Sequence, residues 1–230
     1  MNKFLGLFQT YSYSNLYHLP GVKKDFDNLL SLAEKLTATN EWQSTLLFDA
    51  DYETIVDSLT NDRMALVWCC GHGILSIDGR NIFLIDDLQA NLDDRTFFKL
   101  LAADTLTKLT LFVFDFCHSC TMINLKYYYK NGTFMSKVAD TEPSLFDDNP
   151  LLTRVCIAGA SDFDTTNEDT HGGYLTQYLI NLLYKFGYVS LSLFEQHQPV
   201  VVKRSVISVN RIIDEHMPLL ILNKENKKLQ

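Results

Sequence analysis

With 230 residues, 47% of them hydrophobic, the chain is long enough to bury a sizeable core and too apolar to be a disordered tail. Ten Gly and five Pro without a biased stretch exclude collagen-like and linker-rich classes, and no period of roughly 20 to 50 residues marks a solenoid. A balance of 20 Lys+Arg against 28 Asp+Glu leaves a net charge of -8; its field repels nucleic acid and anionic membranes, so neither is expected as a partner, and favours basic peptides or small cations.

Residues 3–8 predict a buried strand. Its apolar part follows a single Lys3 and breaks at Gln9, too short for a signal peptide or a membrane span, so a cytoplasmic protein without an amino-terminal targeting domain is expected. Val22, Phe26, Leu29, Leu30, Ala33 and Leu36 then fall on one helix face. Residues 44–49 predict a strand, Tyr52–Leu59 a helix, Met64–Cys70 a strand, Asp94–Ala102 a helix and 109–116 a strand. Residues 121–150, rich in Asn, Asp, Ser and Tyr, show no clear period and predict a mobile loop. Residues 154–159 form the next strand, and Tyr174, Tyr178, Leu182 and Phe186 share a helix face. The spacing of Val202, Val206, Val209 and Ile213 predicts a helix over 200–213, although β-branching pulls toward a strand. Residues 219–222 complete the series as a strand.

This alternation implies an α/β fold over residues 1–230, a single three-layer sandwich whose mostly parallel sheet is flanked by helices. Five cysteines, Cys69, Cys70, Cys117, Cys120 and Cys156, are an odd number and do not read as a disulfide framework.

Ligand sites in such sheets lie beyond the carboxyl ends of the strands. Two strands deliver reactive groups there: Met64–Cys70 leads into Gly71-His72-Gly73, and 109–116 into Cys117-His118-Ser119. A thiolate is a strong nucleophile, and an imidazole can take its proton and later protonate a leaving amine, which suits acyl transfer. His72 and Cys117 are therefore the candidate catalytic pair. The amides of Gly73 and Cys117 are the candidate oxyanion hole, each donor worth about 3 kcal/mol in hydrolases.

The order Gly71-His72-Gly73, then Asp115-Phe116-Cys117-His118-Ser119, resembles the metacaspase branch of the caspase-like cysteine proteases. The interval of 45 residues from His72 to Cys117 agrees with the roughly 50 of caspases. Leu19-Pro20-Gly21 with Asp25, Ala158-Gly159, the acidic stretch 162–169, Gly172-Gly173-Tyr174-Leu175-Thr176 and Met217-Pro218-Leu219-Leu220 extend the similarity over nearly the whole chain. The resemblance implies a caspase-like fold and an endopeptidase acting on peptides or proteins without a cofactor. It also implies substrate-binding carboxylates at Asp115, Asp162 and Glu168 that select Arg or Lys, and self-cleavage within 121–150 at Lys126, Lys130 or Lys137. Cys70 and Cys120 replace the family's Ser and Gly, and its pocket Ser and Asp fall on Thr166 and Glu168. Asp147-Asp148 reads either as loop solvation or as a calcium-responsive element.

Two other readings compete. Cys117-His118-Ser119-Cys120 has the spacing of a disulfide reductase, in which Cys120 would resolve a mixed disulfide with Cys117. The substitutions at Cys70, Cys120 and Glu168 also suit a catalytically silent caspase-like module that binds a partner. A zinc cluster of Cys69, Cys70, His72, Cys117, His118 and Cys120 is disfavoured, because adjacent strand cysteines point to opposite faces.

Overall fold

The structure, a computed structural model, describes residues 1–13, 16–60, 64–85, 90–102, 107–137, 151–161, 164–166 and 168–222. The first half of the chain forms β1 (Asn2–Phe8), α1 (Pro20–Thr37), β2 (Trp42–Phe48), α2 (Tyr52–Leu59), β3 (Met64–Cys70), β4 (Gly73–Leu75), β5 (Asn81–Ile85), β6 (Ala90–Asp93), α3 (Asp94–Ala102) and β7 (Leu109–Asp115). The second half forms β8 (Tyr127–Lys130), β9 (Thr133–Ser136), β10 (Thr153–Ala158), β11 (Glu168–Asp169), β12 (Gly172–Gly173), α4 (Tyr174–Phe186), β13 (Tyr188–Val189), α5 (Leu191–Gln196), β14 (Val206–Val209) and β15 (Leu220–Ile221).

An 8-stranded sheet in the order β2-β1-β3-β7-β10-β14-β8-β9 spans the molecule. Its first five strands are parallel, and β14, β8 and β9 are added antiparallel. The central strands β3, β7 and β10 are buried on both faces, as their unbroken apolar runs require. Alternate side chains serve two cores. Phe4, Phe8, Leu66, Trp68, Leu111, Val113, Val155 and Ile157 pack with α1, α4 and α5, while Leu5, Leu7, Val67, Cys69, Phe112, Phe114 and Cys156 pack with α2 and α3. These are the three layers of the expected sandwich. No helix among the described residues is long and apolar enough to cross a membrane.

Local signals explain the helix ends. Pro20 opens α1, the Asp51 carboxylate accepts the Thr54 N–H at the start of α2, and α4 stops at Gly187 in the left-handed region, φ 78°.

Three expectations need correction. Residues 200–213 are not a helix: a 3-10 turn at Val200–Val202 leads into β14, whose β-branched residues pair with β10 on one side and β8 on the other. The segment 121–150 is not wholly loop, because β8 and β9 form a hairpin joined by Asn131-Gly132, with φ of 52° and 70° at a two-residue turn. Residues 138–150, including Asp147 and Asp148, lie outside the described residues. The last strand is short, Leu220–Ile221, and pairs with β13 rather than with the main sheet. The separate three-stranded sheet β4-β5-β6 was not foreseen.

Candidate active site

β3 and β7 are parallel neighbours with Cys70 opposite Asp115. His72 and Cys117 stand two residues beyond those partners, so both leave the sheet at its carboxyl edge. The two turns touch through their backbones: a Cβ at Gly73 would overlap the Cys117 carbonyl oxygen, so only glycine fits.

The imidazole of His72 is held on several sides. Its Nε2 lies 2.7 Å from the Tyr17 carbonyl oxygen, its ring is tilted against Tyr11 at 4.8 Å, and the Tyr17 ring meets it edge-on at 5.9 Å. A carbonyl only accepts, so Nε2 carries the hydrogen and the Nδ1 lone pair is left for chemistry. Nδ1 has no hydrogen-bond partner among the described residues. Burial lowers the pKa of His72, against the opposing effect of the Tyr17 carbonyl, which favours a neutral base.

Cys117 is partly exposed, whereas the other four thiols are buried. The following residue, His118, adopts φ 54°, with its N–H donating to the Asp164 carbonyl at 3.2 Å, so Cys117 leads into a tight, strained turn. Cys120 is 4% exposed and packs in the core on the α2 and α3 side, its sulfur 3.7 Å from the Tyr128 hydroxyl.

The register of the small sheet orients one amide. Gly73 faces Phe83, and the Leu84 N–H donates to the His72 carbonyl at 3.0 Å. Hydrogen-bonded and non-bonded pairs alternate in an antiparallel ladder, so Gly73 is a non-bonded position and its N–H points away from β5.

Beside this edge lies a group of buried carboxyls. Asp115 ends β7 at 6% exposure; its Oδ2 accepts the Thr176 N–H in the first turn of α4 at 2.8 Å, while its Oδ1 has no partner. Burial raises its pKa to about 6, offset in part by Thr176. The cleft at Asp115 is lined by Gly159, Thr165, Thr166, Tyr174, Leu175, Val201, Val202, Arg204 and Ser205, with the Arg204 guanidinium 3.8 Å from the Asp164 carboxylate. Asp25 of α1, 1% exposed, receives the Gly173 N–H on both oxygens at 3.1 and 2.9 Å. Burial first, and then the charge of Asp115, raise it to about 9. The Gly172-Gly173 backbone is wedged between these acids: a Cβ on Gly172 would overlap Asp25 Oδ1, and one on Gly173 would overlap Asp115 Oδ2. Behind them Cys70 Sγ lies 3.5 Å from Thr176 Oγ1, and burial pushes its thiol well up; Cys70 belongs to the core and is not among the residues lining the cleft.

Glu168 stands elsewhere than expected. It accepts the Gly21 N–H in the first turn of α1, where neither a side-chain cap nor a local acid is present, so it acts as a long-range cap. Burial, together with Asp115 and Asp169, raises it to about 7. It is not among the residues lining the cleft, whereas Thr166 is. Asp162 lies outside the described residues. The three candidate cleavage lysines belong to the β8–β9 hairpin: Lys126 precedes it, Lys130 ends β8, and the Lys137 N–H donates to the Lys126 carbonyl at 3.0 Å. Strand pairing therefore replaces the free loop expected around them.

Asp25, Tyr11 and Tyr17 are the site residues whose roles sequence reasoning missed. Asp25 had a readable signal: it sits three residues after Val22 and four before Leu29, an acid on the buried stripe of α1.

The carboxyls make stability pH-dependent. Asp25, Asp115 and Glu168 hold their protons more tightly in the fold than in the unfolded chain. Their stabilising contribution is full below the ordinary carboxylate range and is lost as pH rises through about 6, 7 and 9. Asp25→Asn is expected to flatten the fall of Tm between pH 5 and 9; thermal melts giving parallel Tm profiles for the two proteins would contradict the assignment.

No family model matches the sequence, and no curated protein matches it at the level of sequence. Solved structures do match. Protein GSU0716 from Geobacter sulfurreducens is similar with a TM-score of 0.62 and 13% identity, over 93% of this chain and 95% of that one. Caspase-1 from Spodoptera frugiperda is similar with a TM-score of 0.56 and 13% identity, over 99% of this chain and 91% of that one. The fold is caspase-like.

Proposed function

We propose that this chain is a cysteine endopeptidase of the metacaspase type, cleaving peptides after Arg or Lys. The observation that carries the reading is His72, oriented by the Tyr17 carbonyl with Nδ1 open, at the same sheet edge as the partly exposed Cys117. Nδ1 takes the Cys117 proton, and the thiolate adds to the peptide carbonyl. The oxyanion faces the Gly73 and Cys117 amides. His72 then gives its proton to the leaving amine as the C–N bond breaks, leaving a thioester. Water, deprotonated by His72, hydrolyses the thioester and returns the thiol.

A guanidinium or ammonium beside Asp115 Oδ1 would supply the partner that atom lacks, a charge-assisted bond in a buried site. Self-processing is assigned to Lys137, which directly follows the last residue of β9.

The test is turnover of Arg-ended and Asp-ended peptide reporters by the protein and by Cys117→Ala. Cys117-dependent cleavage of the Arg reporter is expected. No Cys117-dependent turnover of either ends the reading, and turnover of the Asp reporter alone overturns the basic specificity. Disulfide exchange makes a different prediction. Cys120 is buried in the core, so Cys120→Ser is expected to keep peptidase activity; its loss would favour the redox reading.

A further inference from the structure

Tyr11 occupies an unusual place in the hydrogen-bonding of the site. Continuing the β4–β5 register one step back sets His72 opposite Leu84 as a bonded pair. One of the two bonds is made, Leu84 N–H to the His72 carbonyl at 3.0 Å. The other is not made directly. The Tyr11 hydroxyl stands in the gap, accepting the His72 N–H at 2.8 Å and donating to the Leu84 carbonyl at 2.9 Å. A phenol hydroxyl has one hydrogen to give and lone pairs to receive, so it bridges the interrupted step without leaving either group unpaired.

The same residue touches the side chain it anchors, since its ring packs on the imidazole at 4.8 Å. Tyr11 is 1% exposed and adopts φ 54°, a conformation that costs a non-glycine residue free energy and persists only where the surroundings enforce it. The surroundings do so. The Thr10 N–H and hydroxyl are both bound by Asp49, and the Leu19 N–H closes the loop on the Thr10 carbonyl at 2.9 Å. That closed loop also carries Tyr17, whose carbonyl sets the imidazole tautomer.

We propose that Tyr11 is a positioning residue for His72: its hydroxyl, inserted into the β4–β5 ladder, and its ring together fix the backbone and the plane of the imidazole so that Nδ1 is held toward Cys117. The proposal rests on the peptidase reading for its kinetic consequence but not for its geometric one, and the test separates them.

Three proteins are compared: the unmutated chain, Tyr11→Phe, which keeps the ring and removes the hydroxyl, and His72→Ala. In each, the rate of Cys117 alkylation by iodoacetamide is followed from pH 5 to 9; the other four cysteines are buried and serve as an internal background. His72→Ala gives the profile of a thiol without its imidazole. Tyr11→Phe is expected to lie between that profile and the unmutated one, and to lower kcat on the Arg reporter about 10- to 100-fold with KM little changed, the signature of a displaced base. A Tyr11→Phe profile that superimposes on the unmutated one overturns the proposal. Coincidence of the unmutated and His72→Ala profiles overturns it too, because there is then no coupling to position. If the alkylation profiles separate as expected while no protein turns over peptide, the peptidase reading fails and the Tyr11 assignment stands. Should Tyr11→Phe not fold, 3-fluorotyrosine at position 11 perturbs the same hydroxyl at nearly constant shape, and an unshifted alkylation profile there overturns the proposal.

Discussion

Single replacement of Cys117 or His72 by Ala is expected to lower kcat on an Arg-ended peptide by about 10⁴-fold or more, and the double replacement to cost little beyond either alone. The reason is geometric. His72 offers one unpartnered nitrogen and Cys117 is the partly exposed thiol at the same edge, so in the proposed mechanism each group acts through the other. Removing the base leaves the thiol without an acceptor for its proton, and removing the thiol leaves a base with nothing to activate. Residual turnover from the oxyanion donors and substrate binding should be shared by all three variants. Steady-state kinetics on the four proteins check this, and additive losses would mean that His72 and Cys117 do not form one unit.

Asp115→Asn is expected to cut kcat/KM on the Arg reporter by about 10²- to 10³-fold without lowering Tm at pH 8. The buried Oδ1 has no partner, so the Asp115 charge costs desolvation free energy that the Thr176 N–H on Oδ2 offsets only in part. An amide keeps an oxygen to accept the Thr176 N–H and loses the attraction for a cation. Activity and stability should therefore move independently. In the unmutated protein KM for the Arg reporter should fall as pH rises through about 6, the value to which burial lifts Asp115. Unchanged Arg turnover in Asp115→Asn would detach Asp115 from the specificity pocket.

Much of this fold was written in local patterns, and its omissions have identifiable causes. Met64–Cys70, Tyr52–Leu59 and Asp94–Ala102 agree with expectation to the residue, and the helical face of Tyr174, Tyr178, Leu182 and Phe186 lies within α4, because long apolar runs and helical stripes are dictated by burial. The small sheet β4-β5-β6 escaped because its strands are three to five residues long. Asn131-Gly132 between Tyr127–Lys130 and Thr133–Ser136 is a hairpin signal that the polar composition of the wider segment obscured.

The placement of His72, Cys117 and Asp115 at one sheet edge was legible, because each ends or directly follows a long buried strand. The site was not legible where a group carried by a closing loop does the work. The Tyr17 carbonyl on His72 and the Tyr11 hydroxyl in the ladder depend on where a loop closes, which no side-chain pattern encodes. Glu168 shows the converse: read from register as a pocket acid, it answers instead to the uncapped first turn of α1.

The strand order has one further outcome. A chain severed anywhere between β9 and β10 yields an amino-terminal piece holding β2, β1, β3 and β7 at one end of the sheet and β8 and β9 at the other, with β10 and β14 from the carboxyl-terminal piece sandwiched between. The halves would be interlaced like the teeth of a zip, so a nick there leaves the particle whole and visible only under denaturing conditions.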